Sequence, residues 1–119
     1  MIPENIQLYN LTNLKDQTGN DEIFLQQMVI LFIKQTDENL KKIAIAKPQK
    51  SWAEIHFIVH KIKSAINLFG IKNLQQIIVE TEEMTRETNH EKKILENLQL
   101  IEKVLKQCMA QLKIAFNVE

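Results

Sequence analysis

Turn-forming residues are scarce in this chain and stand far apart. Glycine and proline each occur only twice among 119 residues. A β-rich fold of this length needs many tight turns, and tight turns rely on glycine and proline. The sequence therefore predicts an all-α fold with long helices and few connections. Two isolated glycines also exclude the glycine-rich phosphate loops of nucleotide-binding proteins.

The charge balance argues against a nucleic-acid-binding protein. Lysine plus arginine equals aspartate plus glutamate at 15 each, so the formal net charge is zero. Proteins that bind nucleic acids usually carry a basic excess, and they read base edges mainly with arginine. Arg86 is the only arginine. We therefore expect no nucleic-acid partner.

Cysteine usage and apolar runs indicate the compartment and the domain count. The single cysteine, Cys108, excludes an internal disulfide and fits a reducing environment. The longest apolar run, residues 28–33, is far shorter than the ~20 residues of a membrane span. The first residues do not resemble a signal peptide. We expect a cytoplasmic protein, off the membrane, with one domain over residues 1–119 and with residues 1–19 as a leader and short helix.

Helix-breaking and helix-capping residues divide the chain into helices. Pro48 ends the first long helix, and Gly70 is suited to a left-handed position after the second. Two capping boxes, residues 51–54 and 88–91, precede the second and fourth long helices. Including a short N-terminal helix, the predicted helices cover approximately residues 7–17, 21–46, 51–69, 72–87 and 88–116.

Two of these helices carry an apolar stripe with alternating steps of three and four residues. The stripe of the second long helix contains Trp52, Ile55, Val59, Ile62, Ile66 and Phe69, and that of the last contains Ile94, Leu98, Ile101, Leu105, Cys108 and Leu112. Such stripes are typical of helices in antiparallel bundles. The sequence therefore predicts an antiparallel up-down four-helix bundle with a short additional N-terminal helix.

Several residues of the second long helix lie away from its stripe. At ~100° per residue, His60 lies about 130° from the centre of the stripe and should face solvent. Ser64 and Lys63 flank it, and Phe57 and Leu68 also fall on the outward side. Apolar residues around a polar centre favour a docking surface, although isolated exposed hydrophobic residues are common. Both interpretations remain open at this point.

His60 also has two simpler interpretations. It is either an ordinary surface histidine or half of a metal site with His56, which lies one helical turn earlier. Structural zinc sites require four ligands, and Cys108 belongs to an apolar stripe. The sequence therefore predicts no metal site.

The residues from His60 to Gly70, HKIKSAINLFG, carry a recognisable spacing. A lysine, Lys63, follows the histidine by three positions, a small residue, Ser64, comes next, and a glycine follows the histidine by ten. This segment resembles the signature of the histidine-containing phosphotransfer (HPt) domain of bacterial and plant-type phosphorelays. That family usually has glycine where this chain has Ser64.

The resemblance extends over most of the chain. Residues 71–76 and Glu82 match the start of the family's next helix, and the upstream helix, with Phe32 at its centre, has the expected length. The resemblance implies that His60 accepts a phosphoryl group from an aspartyl phosphate and passes it to another aspartate. It also implies that Lys63 stabilises the phosphoryl oxygens and that Glu82 orients the His60 ring.

Partners and cofactors follow from the same resemblance. The expected partners are receiver domains of response regulators and a sensor or hybrid histidine kinase, and Mg²⁺ is expected on the receiver, with no cofactor bound to this chain. Because no ATP-binding region is evident, we expect a phosphocarrier and not an enzyme. Because four helices complete a bundle within one chain, we expect a monomer. The expected docking residues are Phe57, Ser64, Asn67, Leu68 and Gly70.

Two other functions remain as alternatives. The chain is either a non-catalytic helical adaptor that binds a partner through its Phe57/Leu68 face, or a dimerisation domain of a histidine kinase, which also displays a histidine on a helix. Other residues are predicted to be structural: Arg86 pairs with Glu82 one turn away, His90 belongs to a capping box, and Cys108 lies in the core.

Overall fold

The computed structural model describes residues 6–87 and 89–119. In these ranges it contains five helices and no strand, which confirms the all-α prediction. The helices are α1 (Thr12–Thr18), α2 (Glu22–Ala46), α3 (Trp52–Leu68), α4 (Lys72–Met84) and α5 (Glu91–Ala115). Each of the four long helices packs against the next along the chain, and α2 also contacts α5. None of the described helices is both long enough and apolar enough to cross a membrane.

The predicted apolar stripes form the core. Every stripe residue of α5 is buried, and so are those of α3 except Trp52, which is half-buried. Phe32 of α2 stacks on Phe69 with ring centroids 4.2 Å apart, which joins α2 to the end of α3. Burial raises the pKa of the Cys108 thiol to about 12, so this cysteine stays protonated and unreactive.

The N-terminal segment differs from the prediction, because residues 7–11 are not helical. Their backbone is held by the side chain of Gln111 on α5, which accepts from the Leu8 amide at 2.8 Å and donates to the Ile6 carbonyl at 2.7 Å. Leu8 and Leu11 are buried in the core. A non-helical segment whose backbone is bonded by a glutamine 103 residues away could not be foreseen from local periodicity.

Gly70 adopts the left-handed conformation predicted for it, with φ of 57°. The Ile71 amide donates to the Ile66 carbonyl, and the Gly70 amide donates to the Asn67 carbonyl, which is the hydrogen-bond pattern of a Schellman motif. A Cβ atom at Gly70 would lie 2.5 Å from the Asn10 carbonyl oxygen. Glycine is therefore required both by the turn and by the close approach of the N-terminal segment.

The helix caps follow the prediction only in part. Asp21 caps α2 by accepting from the amides of Ile23 and Phe24. The capping box at Ser51 is wrong: the Ser51 side chain makes no capping hydrogen bond, and its amide, the expected partner of the Glu54 carboxylate, donates to the Ala46 carbonyl instead. In the second box, Thr88 lies outside the described residues, and the position that caps α5 is His90.

Candidate functional site

The side of α3 that faces the end of α4 carries two histidines and a lysine. His56, His60 and Lys63 follow each other at intervals of four and three residues, so they lie on one side of the helix. All three contact a single residue of α4, Glu82. The site is therefore centred on this glutamate.

The Glu82 carboxylate is almost fully buried, with 9% of its side chain exposed. Its Oε1 accepts from Lys63 Nζ at 2.8 Å, and its Oε2 contacts His60 Nδ1 at 2.9 Å. The family resemblance predicted the contact between Glu82 and His60 but not the burial of Glu82. The hydrogen bond from Lys63, assisted by that from His60, holds the Glu82 pKa below its usual value although burial acts in the opposite direction.

An ionised Glu82 determines which nitrogen of His60 carries a proton. A carboxylate can only accept hydrogen bonds, so the short contact requires a proton on Nδ1. In the neutral ring Nε2 then holds a lone pair. The His60 side chain is 61% exposed. The arrangement therefore offers a nucleophilic nitrogen to solvent while the opposite nitrogen is held by a buried carboxylate.

A groove between α2 and α3 lies beside His60. Phe32 contributes to its lining from α2, and Ser64 lies along it on α3. Polar side chains of α2 complete the wall next to the histidine; they are Gln35, Glu38, Asn39 and Lys42. These α2 residues were missed from the sequence, although they recur at helical spacing on one flank. A phosphoryl group on His60 would stand at the edge of this groove.

A comparison with protein families gives an assignment for this geometry. The Hpt domain matches residues 27–115, which is most of the chain. This chain belongs to the Hpt family. Hpt domains are phosphotransfer intermediates of phosphorelays, and they interact with receiver domains and kinases of two-component systems. Comparisons with curated proteins and with solved structures give no match.

The docking residues expected for this Hpt domain are only partly brought together. Phe57 is 60% exposed, and the Lys61 ammonium lies 4.7 Å above its ring. Ser64 is exposed in the groove. Leu68 was expected to point outward, which is wrong: as the last residue of α3 it is half-buried and packs against the core where the chain turns.

Asn67 and Gly70 lie at the other end of the face. They line a cleft between the N-terminal segment and the start of α4, together with Asn10 and Lys72. This cleft does not include His60, so these two residues of the Hpt domain belong to different surroundings from the phosphoacceptor candidate.

His56 was considered from the sequence only as a metal ligand. Its Nδ1 instead lies 2.9 Å from the Glu82 carbonyl oxygen and 2.8 Å from the Thr85 hydroxyl. Within residues 6–87 and 89–119, no group of three or more His, Cys, Asp or Glu side chains is arranged to hold a metal ion. The spacing of His56 to His60 could have signalled a shared partner, but not which helix supplies it.

Arg86 and His90 lie outside the site of the Hpt domain. The predicted pair of Arg86 with Glu82 is wrong: within the part of the chain that the structure describes, Glu82 forms its ion pairs with His60 and Lys63. His90 contacts the Glu87 carboxylate at 2.7 Å through Nε2, in the connection that precedes α5. It therefore has a local partner and no link to α3.

Proposed function

We propose that this Hpt domain carries a phosphoryl group on His60, accepting it from an aspartyl phosphate of a receiver domain and passing it to an aspartate of another receiver. The observation that carries the proposal is the pairing of an exposed imidazole with a buried carboxylate at its Nδ1 atom. An ordinary surface histidine has no such partner on a second helix.

The transfer step conserves charge and protons without a further base. The lone pair of His60 Nε2 attacks phosphorus, the bond from phosphorus to the aspartyl oxygen breaks, and the aspartate leaves as a carboxylate. The ring becomes a phosphorylated imidazolium with its proton still on Nδ1. Glu82 stabilises that developing positive charge through the hydrogen bond already present in the resting protein.

Lys63 is proposed to act in two ways. Its ammonium group has three N–H donors, and one of them is directed at Glu82. The remaining donors and the charge are available to phosphoryl oxygens on the neighbouring His60. We further propose that Mg²⁺ is supplied by the receiver, because the transferring phosphoryl group needs more cationic charge than one lysine gives.

The proposed receiver surface comprises Phe57, Ser64 and the α2 wall of the groove, with Leu68 at its margin. Asn67 and Gly70 belong to its distal end, where Gly70 acts by keeping the N-terminal segment in place. We also propose that the four long helices run in an antiparallel up-down order and that the domain works as a monomer. A mass measurement in solution tests the monomer and separates it from a dimeric kinase domain.

The decisive test is phosphoryl transfer from a phosphorylated receiver domain to wild type, His60→Gln and His90→Gln. We expect uptake by wild type and by His90→Gln, and none by His60→Gln. The product should be stable to base and labile to acid, as a phosphoramidate is. Uptake by His60→Gln would refute the assignment, while receiver binding without any uptake by wild type would favour the adaptor function.

A further inference from the structure

The end of α4 leaves the Glu82 backbone carbonyl without a helical donor. In a continuing helix this oxygen would accept from the amide of residue 86. The Arg86 amide donates to the Glu83 carbonyl instead, at 3.1 Å, because α4 ends at Met84. A carbonyl at a helix end needs a partner from elsewhere.

Two side chains supply those partners. The Thr85 hydroxyl donates to the Glu82 carbonyl oxygen at 2.7 Å, and His56 Nδ1 lies 2.9 Å from the same oxygen. His56 Nδ1 also lies 2.8 Å from Thr85 Oγ1. Since the single hydroxyl proton of Thr85 is used toward the carbonyl, both neighbours of His56 Nδ1 are acceptors and the proton lies on Nδ1.

Glu82 is thus held at both ends by histidines one helical turn apart. His56 binds its backbone, and His60 binds its carboxylate. The last turn of a helix is the part most prone to fray, and a glutamate side chain has several rotatable bonds. Without the backbone contact, the carboxylate would be held against α3 only by its bonds to Lys63 and His60 and by the packing of α4, where Ile78 and Thr81 are buried.

We propose that His56 and Thr85 are positioning residues, which fix the final turn of α4 against α3 so that Glu82 stands at Nδ1 of His60. This inference rests on the proposed function, since it matters only if His60 must present Nε2. Neither residue touches the phosphoryl group; both act through Glu82. A misplacement of about 1 Å at a reacting group can cost up to ~10²-fold in rate.

The test measures the His60 tautomer directly, by ¹⁵N NMR of the unphosphorylated protein near pH ~8, where an ordinary imidazole is neutral. Wild type should show His60 with its proton on Nδ1. In His56→Phe and in Thr85→Val, which remove the donors at similar volume, that tautomer should lose population. His56→Asn and Thr85→Ser keep a donor at the same place and should restore it.

A stability control separates positioning from general loosening. Val104→Ala removes buried volume from α5, far in sequence from the end of α4, and should lower the melting temperature without changing the His60 tautomer. The rate of transfer from a receiver should fall ~10-fold in His56→Phe and Thr85→Val and recover in the conservative variants.

An unchanged His60 tautomer in both His56→Phe and Thr85→Val would overturn the proposal, even if transfer slowed. A tautomer change in Val104→Ala of the same size would also overturn it. Because the tautomer is read without phosphate, this result is independent of whether His60 proves to be the phosphoacceptor.

Discussion

Two histidine–glutamate pairs in this domain have almost the same contact distance but very different surroundings. His60 Nδ1 lies 2.9 Å from Glu82, and His90 Nε2 lies 2.7 Å from Glu87. The Glu87 side chain is 65% exposed, whereas that of Glu82 is 9% exposed. Distance alone therefore does not distinguish a candidate site from a surface contact.

The difference lies in what else holds each carboxylate. Glu82 is on a different helix from His60, is bonded by Lys63 and has its backbone bonded by His56 and Thr85. Glu87 is three residues from His90 in a connection. An exposed pair of this kind contributes little, because water and salt screen it. A buried carboxylate with several donors keeps its charge and its place, as an electrostatic role requires.

The largest effect should come from neutralising the buried partner. In Glu82→Gln the side chain keeps its shape but loses the charge that stabilises a phosphorylated imidazolium. We expect transfer from a receiver to slow by ~10²-fold, a typical loss when one preorganised electrostatic contact is removed. Glu87→Gln is the matched control and should transfer at the wild-type rate. Equal rates for the two variants would remove Glu82 from the mechanism.

The docking surface should give the next largest effect. Phe57→Ala removes an exposed aromatic ring near His60, and a truncated aromatic anchor often costs ~2 kcal/mol of binding, or about 30-fold in affinity. Titration calorimetry with a receiver domain measures this. Ile114→Ala truncates another exposed hydrophobic residue, 84% exposed near the end of α5, and should bind normally. If the Phe57→Ala variant instead unfolds at a much lower temperature than wild type, Phe57 packs in the core and is not a docking residue.

The fold and the centre of the site were largely predictable from the sequence, for a physical reason. Long helices with few glycines and regular apolar stripes leave few alternatives, and the spacing of His60 to Lys63 is a local property of one helix. The contact of Glu82 with His60 came from the family resemblance and not from periodicity, since no local rule states which residue of α4 faces α3.

What could not be predicted depends on contacts between distant segments. Leu68 was expected outside because a helical projection ignores the turn after α3, where this last helical residue packs against the core and becomes half-buried. Residues 7–11 were expected in a helix because their own sequence gives no sign of the glutamine on α5 that bonds their backbone. His56 and Thr85 were missed because their common partner is a backbone carbonyl, freed only where α4 ends.

A smaller effect on transfer is expected from Lys63. Its ammonium group bonds Glu82 and is 28% exposed, so water screens part of its charge. In Lys63→Ala we expect transfer to slow by ~10-fold, less than in Glu82→Gln. Lys106→Ala is the control, because Lys106 lies on α5 and pairs with Glu102 instead of Glu82. A normal rate in Lys63→Ala would leave this lysine a structural partner of Glu82 only.

The smallest expected effect is on stability, and it compares the His60–Glu82 pair with the His90–Glu87 pair. The pKa of Glu82 is held below the ordinary value of 4.5 by Lys63 and His60. A carboxyl group with a lowered pKa in the folded state stabilises the fold above its unfolded pKa, and this contribution is lost as pH falls through the folded value. We expect wild type to exceed Glu82→Gln by about 1 kcal/mol in unfolding free energy at neutral pH, the net size of one ordinary hydrogen bond. The difference should shrink steadily below pH ~4.5 in urea titrations. Glu87→Gln should match wild type throughout, because its exposed carboxylate is screened. A Glu82→Gln difference that stays constant down to the lowest pH would mean that shape and not charge makes this pair different from the one at His90.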